Sequence, residues 1–321
     1  MRNAHLLFAA VVLLALSGCG GKPEAAAPAK TADEPVAESA ISASPCALET
    51  ETLAWREGRV ERLKRPNGWL SLVGLHWLEP GDHSLGSAED NDIQLATGPA
   101  HIGRIALADG KVTLTPGPEA GITVDGNSPD AAVELAADST GSPSQVAFDG
   151  QEAGFTVIER SGRLGLRVKD AQAKTRTGFV GIDYFDISPE WRFDARFEAH
   201  PPGQTIKIAS VINTLDDMAN PGRVVFSKDG KEYSLEAVDE GDGELFLIFA
   251  DRTSGKTTYG PGRFLYAHPP SEDGHTIVDF NQAYNPPCAL NAYSTCPLPP
   301  PENRLDLTIN AGEKKYRGSL H

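Results

Sequence analysis

Residues 104–116 read RIALADGKVTLTP. Ile105 and Leu107 alternate with small or polar neighbours, Asp109-Gly110 interrupts, and Val112 and Leu114 resume the alternation. A period of two turns one face of each segment toward a core. Asp-Gly supplies the positive-φ positions that a tight hairpin turn requires. The same shape returns in FTVIERSGRLGLRV (155–168) and VVFSKDGKEYSLEAV (224–238). Asp-Gly occurs six times, beginning at Asp109, Asp125, Asp149, Asp229, Asp242 and Asp273. ELFLIFA (244–250) is apolar on both faces and reads as a strand covered on both sides. Many short strands joined by tight turns imply a mostly β fold with few helices. The expected architecture is a small N-terminal β-sandwich followed by a larger C-terminal antiparallel β domain.

The best helix candidate is Glu49–Leu63, inside a helical segment at 47–67. Leu53, Val60 and Leu63 recur at helical spacing there, and Pro66-Asn67-Gly68 stops it. The turn-rich stretch ADSTGSPSQVAFDG (137–150) marks the boundary between a β module at 68–140 and a β domain at 141–321.

The chain opens MRNAHLLFAAVVLLALSGC. Arg2 precedes an apolar run, Leu6–Leu16, that is short of the roughly 20 residues of a permanent span. It has the length of a signal-peptide core, so 1–18 reads as a signal peptide. Leu16-Ser17-Gly18-Cys19 resembles a bacterial lipobox, in which Cys19 becomes the lipidated new N-terminus. Residues 19–46 are rich in Ala, Pro, Glu and Ser and read as a flexible tether, because they cannot bury enough surface to offset ordering. The expected partner is a membrane, reached through that lipid. Gly20 follows the cysteine where aspartate would favour inner-membrane retention, so the expected location is the outer membrane, facing the periplasm. A net charge of −15 argues against nucleic acid and against a polybasic membrane patch.

Without Cys19, three cysteines remain: Cys46, Cys288 and Cys296. A Cys288–Cys296 disulfide suits an oxidising compartment, and on the chain-entropy account it would stabilise by roughly 2.5 kcal/mol. Both lie in DFNQAYNPPCALNAYSTCPLPPPENRL (279–305). A strand entering this stretch puts Val278 and Phe280 on one face and Asp279 and Asn281 on the other. Tandem prolines then leave the ladder, and the chain re-enters a strand at Arg304–Ile309. Long irregular connections are often functional. Two readings stay open: a staple only, or a staple that also holds a ligand. The candidate ligand-binding residues are Asp251, Arg263, Asp279, Asn281, Glu302, Asn303 and Arg304, with a guanidinium offered to a carboxylate or amide. No cofactor and no metal site are expected, since the cysteine spacing is not that of zinc. Neither a Gly-x-Ser-x-Gly elbow nor a His-Glu-x-x-His helix occurs.

Two resemblances add to this reading. Residues 83–126, with Leu85-Gly86-Ser87, Asn91-Asp92-Ile93-Gln94-Leu95 and Val124-Asp125-Gly126, resemble a forkhead-associated β-sandwich. That family reads phosphothreonine with an arginine where this chain has Ser87. The Ser-x-x-His element is missing too, although His101 lies in its region, so phosphopeptide binding is not implied. More extensively, residues 50–316 resemble the bacterial domain-of-unknown-function family 1684. The resemblance rests on GWLSLVGLHWLEPG (68–81), on Asp251, Thr253, Gly255, Thr258, Tyr259 and Gly262–Leu265, and on Asp279–Asn281, Asn285–Cys288, Thr295–Pro300, Glu302–Leu305 and Ala311–Glu313. It implies kinship of fold and an envelope location, and brings no activity.

The function expected is non-enzymatic binding or envelope upkeep, with a small polar ligand at the C-terminal motif. The competing reading is a hydrolase-like enzyme using Asp279, Asn281, Glu302 and Arg263. A third is a structural partner of envelope proteins, exposing Trp69, Leu72 and Trp77. A site requires polar groups converging on a cavity of roughly several hundred Å³, whereas a staple requires those groups to saturate one another.

Overall fold

The computed structural model describes residues 45–241 and 243–320. The expected signal peptide, the lipidation at Cys19 and nearly all of the tether lie outside the described residues.

The Asp-Gly turns form as their chemistry requires. Asp109, Asp125 and Asp229 have φ of 50°, 51° and 52°, each followed by a glycine at positive φ. Ser161-Gly162 makes the same turn with a φ of 51° at the serine. Around these turns the first β body is built from β1 (Leu72–Trp77), β2 (Gly81–Gly86), β3 (Ile93–Gln94), β4 (Gly103–Ala108) and β5 (Lys111–Pro116). It continues through β6 (Ile122–Val124), β7 (Val133–Leu135), β8 (Gln145–Phe148), β9 (Ala153–Arg160) and β10 (Arg163–Asp170). One sheet runs β1-β10-β9-β8-β6 and the other β3-β2-β4-β5-β7. Leu85, Ile105, Leu114, Val157, Leu166 and Val168 fill the space between them.

The break expected at 137–150 therefore falls inside this sandwich. β1 closes its sheet against β10, with Leu75 opposite Arg167 and Trp77 opposite Gly165, so 145–170 belongs to the N-terminal body. Ser87 also has a structural task, its hydroxyl donating to the Gly98 carbonyl at 2.8 Å.

A short helix, α2 (Lys174–Thr177), leads to the second body. Its strands are β11 (Arg192–Ala199), β12 (Thr205–Ala209), β13 (Leu215–Ala219), β14 (Gly222–Lys228), β15 (Lys231–Glu236), β16 (Leu245–Phe249), β17 (Arg263–Ala267) and β18 (His275–Asp279). β15-β14-β11-β18 form one sheet, while β12-β13 and β16-β17 pair separately. β16 is buried along its whole length. Leu245, Leu247 and Phe249 enter one core with Phe226 and Phe280, and Phe246 and Ile248 enter another with Phe264 and Ile208.

The N-terminal helix, α1, spans Pro45–Lys64, so it begins before the expected segment. Its buried face is not the expected stripe. Leu53 is exposed, whereas Leu48, Thr52, Arg59 and Leu63 are buried. An arginine on the inner face hides the period because its charge is met within the protein.

After β18 the chain runs through 3-10 turns at Phe280–Gln282, Pro287–Ala289 and Pro301–Asn303. The strand expected at Arg304–Ile309 is reduced to a single bridge between Arg304 and Ala250. Beyond it the carbonyls of Ile309 and Ala311 turn to the guanidinium of Arg263, so no neighbouring strand receives them. The proline strap sits directly on Gly262, whose φ is +139°. A Cβ there would lie 2.5 Å from the Phe249 carbonyl and 2.5 Å from Pro299 Cγ. Gly262→Ala is expected to destabilise by at least about 1–3 kcal/mol, read as a lower urea midpoint. An unchanged midpoint would show that the strap does not press on this backbone.

Candidate functional site

Five of the seven residues expected to hold a ligand are placed by the structure into separate buried clusters, engaged with other protein groups. Arg263 is 1% exposed. Its Nη2 donates to Asp251 Oδ2 at 2.7 Å and to the Ile309 carbonyl at 3.1 Å, and its Nη1 donates to the Ala311 carbonyl. Burial holds this guanidinium below its usual range, against the pull of Asp251. The other oxygen of Asp251 accepts from the Thr253 backbone at 2.6 Å, fixing the Asp251–Thr258 turn.

Asp279 and Asn281 form a second cluster. Asp279 Oδ1 accepts from the backbone and side chain of Asn281 at 2.9 and 2.8 Å, and Oδ2 accepts from Arg192 at 3.0 Å. Asn281 pairs with both backbone groups of Ser188, at 3.0 and 2.9 Å. Asn303 ties β15 to β16, accepting from Glu236 N at 2.7 Å and donating to the carbonyls of Glu236 and Ile248 at 2.9 and 3.0 Å. Glu302 and Arg304 are exposed, and Arg304 donates to the Pro299 carbonyl at 3.3 Å. Asp251 and Arg304 border a shallow surface hollow of about 270 Å³, but the Asp251 carboxylate is already engaged. Asp251, Asp279, Asn281 and Asn303 are thus spent on other protein groups and act as a staple, while Glu302 and Arg304 reach solvent and Arg263 Nε is buried without a partner among the described residues.

The expected Cys288–Cys296 bridge is absent, and both are free thiols. Each backbone N–H donates to the other's sulfur, at 3.2 and 3.3 Å, so the two residues are held together by hydrogen bonds in a segment that proline already restrains. Cys46 is also free, and exposed.

The open volume lies elsewhere. A cleft of about 670 Å³ is bounded by α1, the β12-β13 hairpin, the β16-β17 pair and the strap. Its aromatic wall comprises Trp55, Trp69, Phe246, Phe264, Tyr266 and Tyr284. Tyr266 stacks on Phe246 at 4.8 Å and on Tyr284 at 6.3 Å, with interplanar angles of 21° and 14°. Ile208, Ile212, Met218, Cys296 and Pro297 extend this apolar lining.

Arg59, Arg62 and Arg160 also line the cleft, and they differ in state. Arg59 pairs with the fully buried Glu313 at 3.1 Å, donates to the Asn285 carbonyl at 2.9 Å and lies 4.7 Å over the Tyr284 ring. Arg160 pairs with Asp138 at 2.8 Å. Arg62 is exposed and makes no hydrogen bond or ion pair with the described residues. The two acids present, Asp216 and Glu240, accept from Ser161 and from Tyr266.

None of the seven expected residues lines this cleft. Sequence reasoning missed Trp55, Arg62, Tyr266 and Tyr284, and took Trp69 for part of an apolar docking patch. Leu72 is fully buried and Trp77 half-buried, so that patch does not form, and Trp69, 40% exposed, turns its ring to the cleft. A usable signal was present in α1. Trp55, Arg59 and Arg62 are spaced at four and three residues, which places them along one helix face.

A family model described as "Protein of unknown function (DUF1684)" matches residues 177–314. Residues 177–314 are thus similar to this family. The match begins at the last residue of α2 and covers the second β body, a narrower span than the 50–316 expected. The solution NMR structure of an uncharacterized protein from Haloarcula marismortui is similar to this chain at 30% sequence identity. That likeness covers 43% of this chain and 78% of the other, with a TM-score of 0.37. No curated protein matches the chain.

Proposed function

We propose that the protein is a non-enzymatic binding protein of the bacterial cell envelope, attached by a lipid on Cys19, whose cleft takes a small amphipathic molecule. The ligand has a planar or acyl body seated on the aromatic wall and an acidic group that meets Arg62. One observation carries this reading: the roomy aromatic cleft keeps one cation without a partner among the described residues, while Asp251, Asp279, Asn281 and Asn303 of the motif are engaged by other protein groups. Largely apolar concave sites with a few placed polar groups are the usual form of small-molecule sites. The lipobox at 16–19 and the signal-peptide pattern support the envelope location.

The chemistry of the lining argues against a reactive centre. Burial pushes the phenol of Tyr266 up, and that hydroxyl is spent on Glu240. Cys296 is buried and its sulfur accepts from the Cys288 backbone at 3.2 Å. Ser210 is bonded to Thr214 at 2.7 Å, and no histidine lines the cleft among the described residues.

Long-chain and aromatic carboxylates are expected to quench tryptophan fluorescence on titration, because Trp55 and Trp69 face the ligand. Arg62→Ala should weaken the best of them by about ten-fold or more, the worth of one hydrogen bond to a charged group. Stability should hold, since Arg62 is exposed. Equal affinity in Arg62→Ala would remove the acidic group from the proposal.

A further inference from the structure

A second basic feature lies on the outer face of the sandwich, apart from the cleft. In β10, Leu166 and Val168 point into the core, so Arg167 and Lys169 point outward. Arg167 stands opposite Thr156, and Thr156 opposite Gln145, while Lys169 stands opposite Gly154. These side chains and Asn67 enclose a groove of about 260 Å³, with Glu152 exposed at its rim. Gly154 and Ala147 also line it.

Arg167 is buried and Lys169 half-buried, and neither forms an ion pair with a carboxylate among the described residues. Arg167 is only 7% exposed. Its one hydrogen bond goes to a neutral hydroxyl, Thr295 Oγ1 at 3.1 Å, and its Nε is buried without a partner among the described residues. It also lies 5.4 Å from the Trp69 ring. Lys169 donates to the Asn67 carbonyl at 2.8 Å. No carboxylate among the described residues pairs with either, and the nearby Asp138 is engaged by Arg160. Burial and the like charge of Arg160 push Arg167 down to about 10, and burial with Arg167 depresses Lys169. A buried cation without a partner is strongly unfavourable. Arg167 is such a group, and with the half-buried Lys169 two residues along the same strand it faces one groove, where an anion would compensate both charges.

We propose that this groove binds a compact, multiply charged anion, a phosphate or diphosphate group, through Arg167 and Lys169. The guanidinium fork faces two phosphate oxygens and the ammonium adds a point charge. Thr156, Gln145 and Asn67 offer neutral hydrogen-bonding groups around it. The inference does not rest on the ligand proposed for the cleft, although Arg167 also touches Thr295 and Trp69 of the cleft wall.

Calorimetric titration of the protein with pyrophosphate at low salt tests it. Saturable binding is expected, weakened about ten-fold or more in Arg167→Met. Because that substitution removes an uncompensated buried charge, its melting temperature should equal or exceed that of the parent. Should Arg167→Met fail to fold, Lys169→Met, at a half-buried position, carries the same expectation. Glu152→Gln should tighten binding. A second arm uses flotation with vesicles of phosphatidylcholine alone and of phosphatidylcholine with phosphatidate. Retention by phosphatidate vesicles without pyrophosphate binding assigns the phosphate to a lipid headgroup, and pyrophosphate binding assigns it to a soluble ligand. Binding to neither, or binding that survives both Arg167→Met and Lys169→Met, overturns the proposal.

Discussion

Arg263→Ala is expected to lower the stability of the second β body by about 3–5 kcal/mol, because it strands a buried carboxylate. Asp251 has a fully buried side chain and loses its only cationic partner among the described residues. The carbonyls of Ile309 and Ala311 lose their donors at the same time, so the C-terminal wrap around the guanidinium has nothing to hold it. For a chain of this size the loss corresponds to a fall of about 10 °C in the melting temperature. The paired substitution Asp251→Leu with Arg263→Met should recover part of the loss, since replacing both charges removes the stranded ion. A melting temperature for Arg263→Ala within a degree or two of the parent would show that this ion pair does not hold the domain.

Phe280→Ala is the second large effect. Phe280 is fully buried at the start of the strap, with ring centroids 6.0, 5.4 and 5.3 Å from Phe193, Phe226 and Phe249. The rings belong to β11, β14 and β16, so one side chain joins the four-stranded sheet to the β16-β17 pair. Truncation removes that packing and leaves a cavity that rigid strands cannot collapse, at a cost of about 3–5 kcal/mol. The urea midpoint should fall while the slope stays constant. A changed slope with an unchanged midpoint would place the effect in the unfolded chain instead.

The local grammar of the fold was legible in the sequence. Asp-Gly between alternating segments gave real hairpins at 104–116 and 224–238 because the turn needs only adjacent residues. Burial of β16 on both faces was legible for the same reason. The boundary at 137–150 was not, because β1 pairs with β10 across some ninety residues, and no local composition encodes that closure. The site residues divide along the same line. Asp251 with Arg263 and Asp279 with Asn281 do meet, as their clustering suggested, yet short polar side chains there replace backbone partners in a region with little regular ladder. The cleft was hidden because its walls come from positions as far apart as Trp55, Ile208, Tyr266 and Thr295. The inward arginines of α1 concealed the helix face that would have pointed to it.

The central claim is that ligand recognition belongs to the aromatic cleft and that the Cys- and Pro-rich motif is a staple. Tryptophan-fluorescence titration with a panel of carboxylates, run in parallel on the parent, Arg62→Ala and Arg304→Ala, tests it most directly. The account predicts saturable quenching that Arg62→Ala weakens about ten-fold or more and Arg304→Ala leaves unchanged. Binding lost in Arg304→Ala and retained in Arg62→Ala would contradict it and return the site to the motif.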